Sequence, residues 1–155
     1  MATTTEAYVD TSALVAFADR SDTYHALFAR LFSDPPRLLT TSLVVAEGQG
    51  WFLRRYDPAR ALQFLAMIEA MSPLRVVAVG PREIRGGSEL LRRFSDQRLT
   101  LTDAVGLHVM ATLKVRSCWA TGRHLGLTGV PLVTGTESLG EPRSKRPRAR
   151  VSRAG

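Results

Sequence analysis

An acidic residue near the start of the chain stands where a predicted strand turns directly into a predicted helix. Residues 8–12 read Tyr-Val-Asp-Thr-Ser, and the apolar run 13–17 follows them. In an open parallel sheet, ligands bind beyond the carboxyl ends of the strands, so Asp10, with the hydroxyls of Thr11 and Ser12 behind it, is well placed for chemistry. The alternative is that one of these three side chains only caps the helix. A chemical role therefore depends on whether other carboxylates occur at equivalent places.

Two further carboxylates occur near such junctions. Glu47 lies one helical turn past the end of the second predicted strand, from where its side chain can reach the same sheet edge as Asp10. Asp103 lies in the first turn of a later helix. Each has a structural alternative, because Glu47 can lie on a solvated helix face, and Asp103 can form a capping box with Thr100 and suit the helix dipole.

The elements that would position these acids alternate along the chain, which predicts an α/β fold. Further strands are predicted over 38–40, 74–79, 116–120 and 130–133, and helices over 23–32, with Ser21 or Asp22 as its cap, and 42–56. Gly48 and Gly50 lie inside the helix 42–56, where each costs about 1 kcal/mol relative to Ala. They suggest the close approach of another backbone or a ligand, or else a locally irregular helix.

Length and composition predict one globular domain. The chain has 155 residues, of which 45% are hydrophobic, and its apolar runs are shorter than the roughly 18 residues that cross a bilayer. Residues 1–6 are polar and lack the features of a signal peptide. The single Cys118 cannot form an internal disulfide, so we expect a protein of the reducing cytoplasm in which this thiol is a buried packing residue.

The net charge of +7 is concentrated at the C-terminus. Residues 141–155 contain six basic residues and one acidic residue, which leaves 15 basic and 13 acidic residues over 1–140. We therefore predict a folded domain over 1–138 and a basic disordered tail over 139–155. Such a tail can contact nucleic acid, or it can be a solvated terminus without a function.

Other kinds of site find little support. His25, His108 and His124 show no mutual spacing typical of metal ligands, and we interpret all three as non-ligands. The sequence contains no glycine-rich phosphate loop, and no Ser-His-Asp arrangement follows from spacing. A phosphoryl-transfer enzyme with Asp10 as nucleophile is disfavoured, because Ser12 stands where such enzymes carry a second acid.

Three segments together resemble the acidic motifs of PIN domains. They are residues 9–13 (Val-Asp-Thr-Ser-Ala), 42–47, which ends in Glu47, and 101–104 (Leu-Thr-Asp-Ala). The resemblance covers about residues 6–134, and in size the chain is most similar to the VapC-type toxin ribonucleases of toxin–antitoxin pairs. It implies a three-layer α/β/α sandwich with a parallel sheet of about five strands.

The resemblance also implies a site and partners. Asp10, Glu47 and Asp103 would bind Mg²⁺ or Mn²⁺ and carry out the hydrolysis of RNA, and hard cations of this kind do take oxygen ligands. The implied partners are an RNA substrate, a VapB-type antitoxin and a second copy of the chain. Apolar positions that could supply the homodimer contact are Phe28, Leu31, Leu65 and Met71.

One departure from the family pattern bears on activity. Many members carry a fourth acid in a segment resembling Thr-x-Asp-x-x-Phe, and here Gly122 occupies the expected Asp position. The loss of one carboxylate should weaken metal binding, particularly that of a second ion. The expected function is a metal-dependent endoribonuclease, and the alternative is a PIN-fold protein that binds RNA or antitoxin with weak or no catalysis.

Overall fold

A parallel four-stranded sheet lies at the centre of the part of the chain that the structure, a computed structural model, describes: residues 6–122, 124–130 and 132. Its strands are β1 (Glu6–Val9), β2 (Arg37–Thr41), β3 (Leu74–Val77) and β4 (Cys118–Trp119), and their spatial order is β3-β2-β1-β4. The flanking helices are α1 (Thr11–Ala18), α2 (His25–Ser33), α3 (Ser42–Arg55), α4 (Pro58–Ala70), α5 (Pro81–Arg93) and α6 (Leu101–Thr112). The predicted α/β class is confirmed. The predicted boundary at residue 138 and the predicted tail lie outside the described residues.

The strand order reverses at β1, which lies between β2 and β4. The hydroxyl of Thr40 donates a hydrogen bond of 2.6 Å to the Val9 carbonyl, and the backbone N–H of Asp10 donates one of 3.0 Å to the Trp119 carbonyl. These bonds hold the carboxyl end of β1 against both neighbouring strands. In open α/β sheets, such a reversal leaves a crevice where ligands bind.

The core forms where the apolar faces of the first strands and helices meet. Tyr8 and Val9 of β1 are fully buried, and Leu38 and Leu39 of β2 are at most 1% exposed. Since burying one such aliphatic side chain contributes about 1.5–3 kcal/mol, the central strands are held firmly and the residues that follow them have little freedom. Cys118 is buried in the same core, as predicted. No helix among residues 6–122, 124–130 and 132 is long and apolar enough to span a membrane.

Several predicted elements differ from the observed ones at their ends. α2 begins at His25 rather than at residue 23, because the Asp22 side chain accepts a hydrogen bond from the N–H of Tyr24 and closes a turn first. The strands β3 and β4 are shorter than predicted. Of the fifth predicted strand, residues 131 and 133 lie outside the described residues, and Leu132 forms an isolated parallel bridge with Cys118.

The expected dimer contact at Phe28 is wrong. Phe28 is completely buried within the protomer, and so it has no surface to offer a second copy. The helical spacing of apolar residues on α2 cannot distinguish a side chain that faces the core from one that faces a partner. The large apolar side chains with the most exposure on α3 and α4 are instead Leu53 and Leu62.

The glycines inside helices mark places where a neighbouring side chain approaches closely. α3 is an uninterrupted helix, and a Cβ atom on Gly48 would overlap the ring of Phe64 from α4. The expectation of a close backbone, a ligand or a helix irregularity at Gly48 is therefore wrong. Gly50 differs, because the nearest atoms that a Cβ there would meet belong to the flexible guanidinium of Arg54, beginning at 3.0 Å.

We predict opposite effects of Ala at these two positions. Gly48→Ala should lower the free energy of unfolding by about 1–3 kcal/mol, because the buried Phe64 ring must move. Gly50→Ala, the matched control, should raise it by up to about 1 kcal/mol through helix propensity alone. Urea unfolding of the two variants measures both values, and equal effects would contradict the proposed role of Phe64.

Candidate active site

Asp10 is fixed at the junction of β1 and α1. Its side chain caps α1 by accepting a hydrogen bond of 3.2 Å from the N–H of Ser12, and it accepts a second bond of 2.7 Å from the Ser12 hydroxyl. The Ser12 oxygen in turn accepts a bond of 3.0 Å from the N–H of Thr121, which follows β4. The predicted capping role is thus confirmed, and the same contacts hold the carboxylate at the crevice between β1 and β4.

The environment of Asp10 disfavours its negative charge. Only 9% of the residue is exposed, and this burial raises the pKa of its carboxyl above the usual value. The hydrogen bonds from Ser12 act in the opposite direction, and the charge of Asp103 raises the pKa further. A buried carboxylate whose charge is disfavoured in this way is stabilised by a nearby cation or by a proton.

Asp103 is held in the first turn of α6 by the predicted capping box. Its N–H donates to the Thr100 hydroxyl, and its carboxylate accepts from the Thr100 N–H, each at 3.1 Å. The carboxylate also lies 3.9 Å from Nδ1 of His124, an ion pair when the imidazole is protonated. His124 therefore borders the acidic pair, a position that its spacing in the sequence did not predict.

Glu47 is less closely connected to this pair. It lies half-buried on α3, and no hydrogen bond or ion pair joins its side chain to another described residue. Within the described ranges, no group of three or more His, Cys, Asp or Glu side chains is arranged to bind a metal ion. The structure thus brings Asp10 and Asp103 together, and a shared role for Glu47 stays a prediction.

Two buried hydroxyl groups next to the acids lack a well-formed hydrogen bond. They belong to Tyr8 and Thr11, the residues on either side of the β1–α1 junction. Burial raises the pKa of the Tyr8 phenol, the charge of Asp10 raises it further, and the Thr41 side chain acts in the opposite direction. The Tyr8 oxygen lies 2.6 Å from the position that a Cβ on Gly106 would take, so α6 can pack over the ring only because this residue is glycine.

The residues present fit a hard divalent cation. Among the described residues, no Lys or Arg side chain forms an ion pair with Asp10 or Asp103. A buried carboxylate without a cationic partner costs free energy, and a bound cation would remove that cost. Mg²⁺ is commonly bound through one or two carboxylates, with water as its remaining ligands.

Gly122 lies beside this site on the segment that Ser12 anchors through Thr121. The residue is exposed, and a Cβ atom added there would meet nothing within 4 Å. Its backbone is not among the positive-φ positions, since Gly129 is the one such glycine in the described part of the chain. An Asp side chain could therefore be accommodated at Gly122 without steric or backbone strain.

The fold and the site define an α/β protein with an acidic crevice at the reversal point of its sheet. A family model described as the PIN domain matches residues 7–117, and the chain belongs to this family. The predicted resemblance is thereby confirmed. No curated protein sequence matches the chain significantly.

Solved structures with similar folds include toxins of toxin–antitoxin systems. VapC20 of Mycobacterium tuberculosis, a sarcin-ricin loop cleaving toxin, has a TM-score of 0.75 and 24% identity over 81% of this chain and 96% of its own. A toxin–antitoxin complex from Klebsiella pneumoniae has a TM-score of 0.53 and 19% identity, over 82% of this chain and 95% of its own. PAE2754 of Pyrobaculum aerophilum has a TM-score of 0.58 and 22% identity, over 90% of this chain and 97% of its own. At these sequence identities, the similarity shows a shared fold and nothing more specific.

We predict that Asp10→Asn stabilises the protein without metal at neutral pH. A raised pKa means that wild-type Asp10 favours folding while protonated, and that this contribution is lost as the pH rises through the folded-state pKa. The gain from Asn should therefore be small in acid and grow towards pH 7. Asn retains the capping oxygen, because Asn and Asp are comparable N-caps.

Thermal melts in EDTA across this pH range provide the measurement. The control is Asp57→Asn, since Asp57 also caps a helix, accepting a bond of 2.8 Å from the N–H of Arg60, but is exposed. Its melting temperature should change little. A pH-independent gain for Asp10→Asn, or an equal gain for Asp57→Asn, would contradict the explanation.

Proposed function

We propose that the protein is a metal-dependent endoribonuclease and the toxin of a type II toxin–antitoxin pair. One observation carries this proposal: Asp10 is a buried carboxylate beside Asp103 at the reversal point of the sheet, and no described Lys or Arg neutralises the pair. Membership of the PIN family supports the choice of a nuclease.

In this proposal the three acids bind the metal ion, and neighbouring hydroxyl residues orient two of them. Asp10 and Asp103 would hold Mg²⁺ or Mn²⁺, with Glu47 as a further ligand in the loaded protein. Such a cation lowers the pKa of a bound water and stabilises charge on phosphate oxygens. Ser12 keeps the Asp10 carboxylate in one orientation, and Thr100 does the same for Asp103. These fixed orientations reduce the reorganisation that binding of metal and phosphate requires.

The structural neighbours support the partners in this proposal. VapC20 is a toxin that cleaves the sarcin-ricin loop, which supports RNA as the substrate class. The Klebsiella pneumoniae structure is a toxin–antitoxin complex, which supports a VapB-type antitoxin as partner. A homodimer in the cytoplasm is part of the proposal, and its contact would use residues other than Phe28.

A second candidate is a PIN-fold protein that binds RNA or antitoxin with weak or no catalysis. Two observations favour it. Gly122 offers no ligand where many family members carry an acid, and the described residues contain no group of three metal-binding side chains. Both candidates predict binding of a partner, but only the first predicts hydrolysis that requires a divalent cation.

Cleavage of a structured RNA loop tests the proposal. We expect the wild-type protein to cut it in Mg²⁺ or Mn²⁺, to stop in EDTA, and to lose all activity on Asp10→Asn. The control variant Asp57→Asn, changed at an exposed helix cap, should cut RNA at the wild-type rate. If cleavage persists in EDTA or in Asp10→Asn, the acidic pair is not the catalytic site.

The open position of Gly122 gives a second prediction. Gly122→Asp should tighten Mn²⁺ binding and raise the cleavage rate, because it adds an oxygen ligand beside the pair. Gly122→Asn keeps the size without the charge and should give a smaller change. Isothermal titration calorimetry measures the affinity, and an unchanged dissociation constant for the Asp variant would show that no ligand is missing there.

A further inference from the structure

The positive charge of the described chain is concentrated on one segment. Residues 82–98 contain five arginines and three acids, whereas the remaining described residues contain nine basic and nine acidic side chains. The excess charge of the folded part therefore comes entirely from α5 and the loop after it. We refer to Arg82, Arg85, Arg92, Arg93 and Arg98 as the arginine face.

These arginines are exposed and form no ion pair with a described acid. The side chain of each one is exposed to solvent, and none has an acidic oxygen of a described residue within 4.0 Å. On α5, Arg82, Arg85 and Arg92 are separated by three and seven residues, which places them on one side of the helix. Gly87, which is buried, lies on the opposite side.

The packing of α5 brings the C-terminal end of this face towards the acidic pair. A Cβ on Gly86 would overlap His108 and one on Gly87 would overlap Val105, so α5 runs antiparallel to α6 and its C-terminal end, with Arg92 and Arg93, lies towards the first turn of α6, which holds Asp103. Arg98 precedes Thr100, the residue that forms the capping box with Asp103. The arginine face therefore begins beside the acids and continues along α5.

The composition of the face favours a polyanion over a protein partner. Protein interfaces depend on buried aromatic and aliphatic anchors, and the exposed side of α5 carries only Arg and Glu89 between residues 82 and 93. Arg side chains are suited to phosphate, because the planar guanidinium can form paired hydrogen bonds with its oxygens. At the end of the helix, Arg93 also lies 5.1 Å from the ring centre of half-buried Phe94, an arrangement on which a base could stack.

We infer that the arginine face binds the phosphate backbone of the RNA that the acidic pair cuts. This inference rests on the proposed function and adds to it the path of the substrate, along α5 and past the α5–α6 loop. The contacts are to the backbone, and so they contribute affinity and position and carry no sequence preference.

The salt dependence of RNA binding tests the inference. The full-length Asp10→Asn protein, which does not cut, is titrated into a fluorescein-labelled single-stranded RNA at several salt concentrations, with fluorescence anisotropy as the readout. The triple change Arg85→Ala, Arg92→Ala and Arg93→Ala should reduce the slope of log affinity against log salt by about 2, since each lost phosphate contact removes about 0.7. Ala favours helix, so we expect α5 to remain folded.

A matched control removes the same charge elsewhere. Arg37, Arg54 and Arg116 are also exposed, and Arg37 and Arg116 lie at the opposite ends of the strands from the acids. Their replacement by Ala should leave the slope nearly unchanged, and replacement of Arg85, Arg92 and Arg93 by Lys should preserve it. Equal losses in the two Ala variants, or no loss in either, would overturn the inference.

The same experiment separates this inference from the proposed function. If wild-type protein cuts RNA in Mn²⁺ but the arginine-face variant binds with an unchanged slope, the nuclease stands and the inference fails. If the wild type does not cut RNA but the salt slope of binding depends on the arginine face, the binding surface is supported and the proposed catalysis is wrong. If Asp10→Asn protein binds no RNA at low salt, the inference is overturned.

Discussion

The site depends on a carboxylate that the fold buries at the point where the order of the parallel strands reverses. Asp10 cannot leave this position, because its backbone bonds to β4 and its side chain caps α1. Its charge is disfavoured there, first by burial and then by Asp103. Because no described cation balances these acids, a bound cation would stabilise the folded protein.

Close packing of α6 is what brings the second acid to the first. α6 approaches β1 over Gly106, which leaves room for the Tyr8 ring, and it approaches α5 at Gly86 and Gly87, where His108 and Val105 fill the space. The same approach places Arg92 and Arg93, at the C-terminal end of α5, towards the loop that leads to Asp103. Small residues in helices thus determine both where the acids meet and which surface surrounds them.

The sequence was informative wherever a local rule determines structure. The strand-to-helix turn at Asp10 and the capping box of Thr100 and Asp103 follow from neighbouring residues, and both were predicted. Contacts between distant parts of the chain were not predictable in this way. Ser12 and Thr121 are 109 positions apart, Gly48 packs against Phe64, and the burial of Phe28 depends on which element covers α2.

We propose that Asp10 and Asp103 share one divalent cation. The most direct measurement is a crystal structure of the full chain soaked in Mn²⁺, with anomalous differences recorded near the manganese absorption edge. We expect one anomalous peak that lies within bonding distance of both carboxylates, and the same map shows whether Glu47 joins them. A peak bound by other residues, or no peak between Asp10 and Asp103 at saturating Mn²⁺, would contradict this proposal.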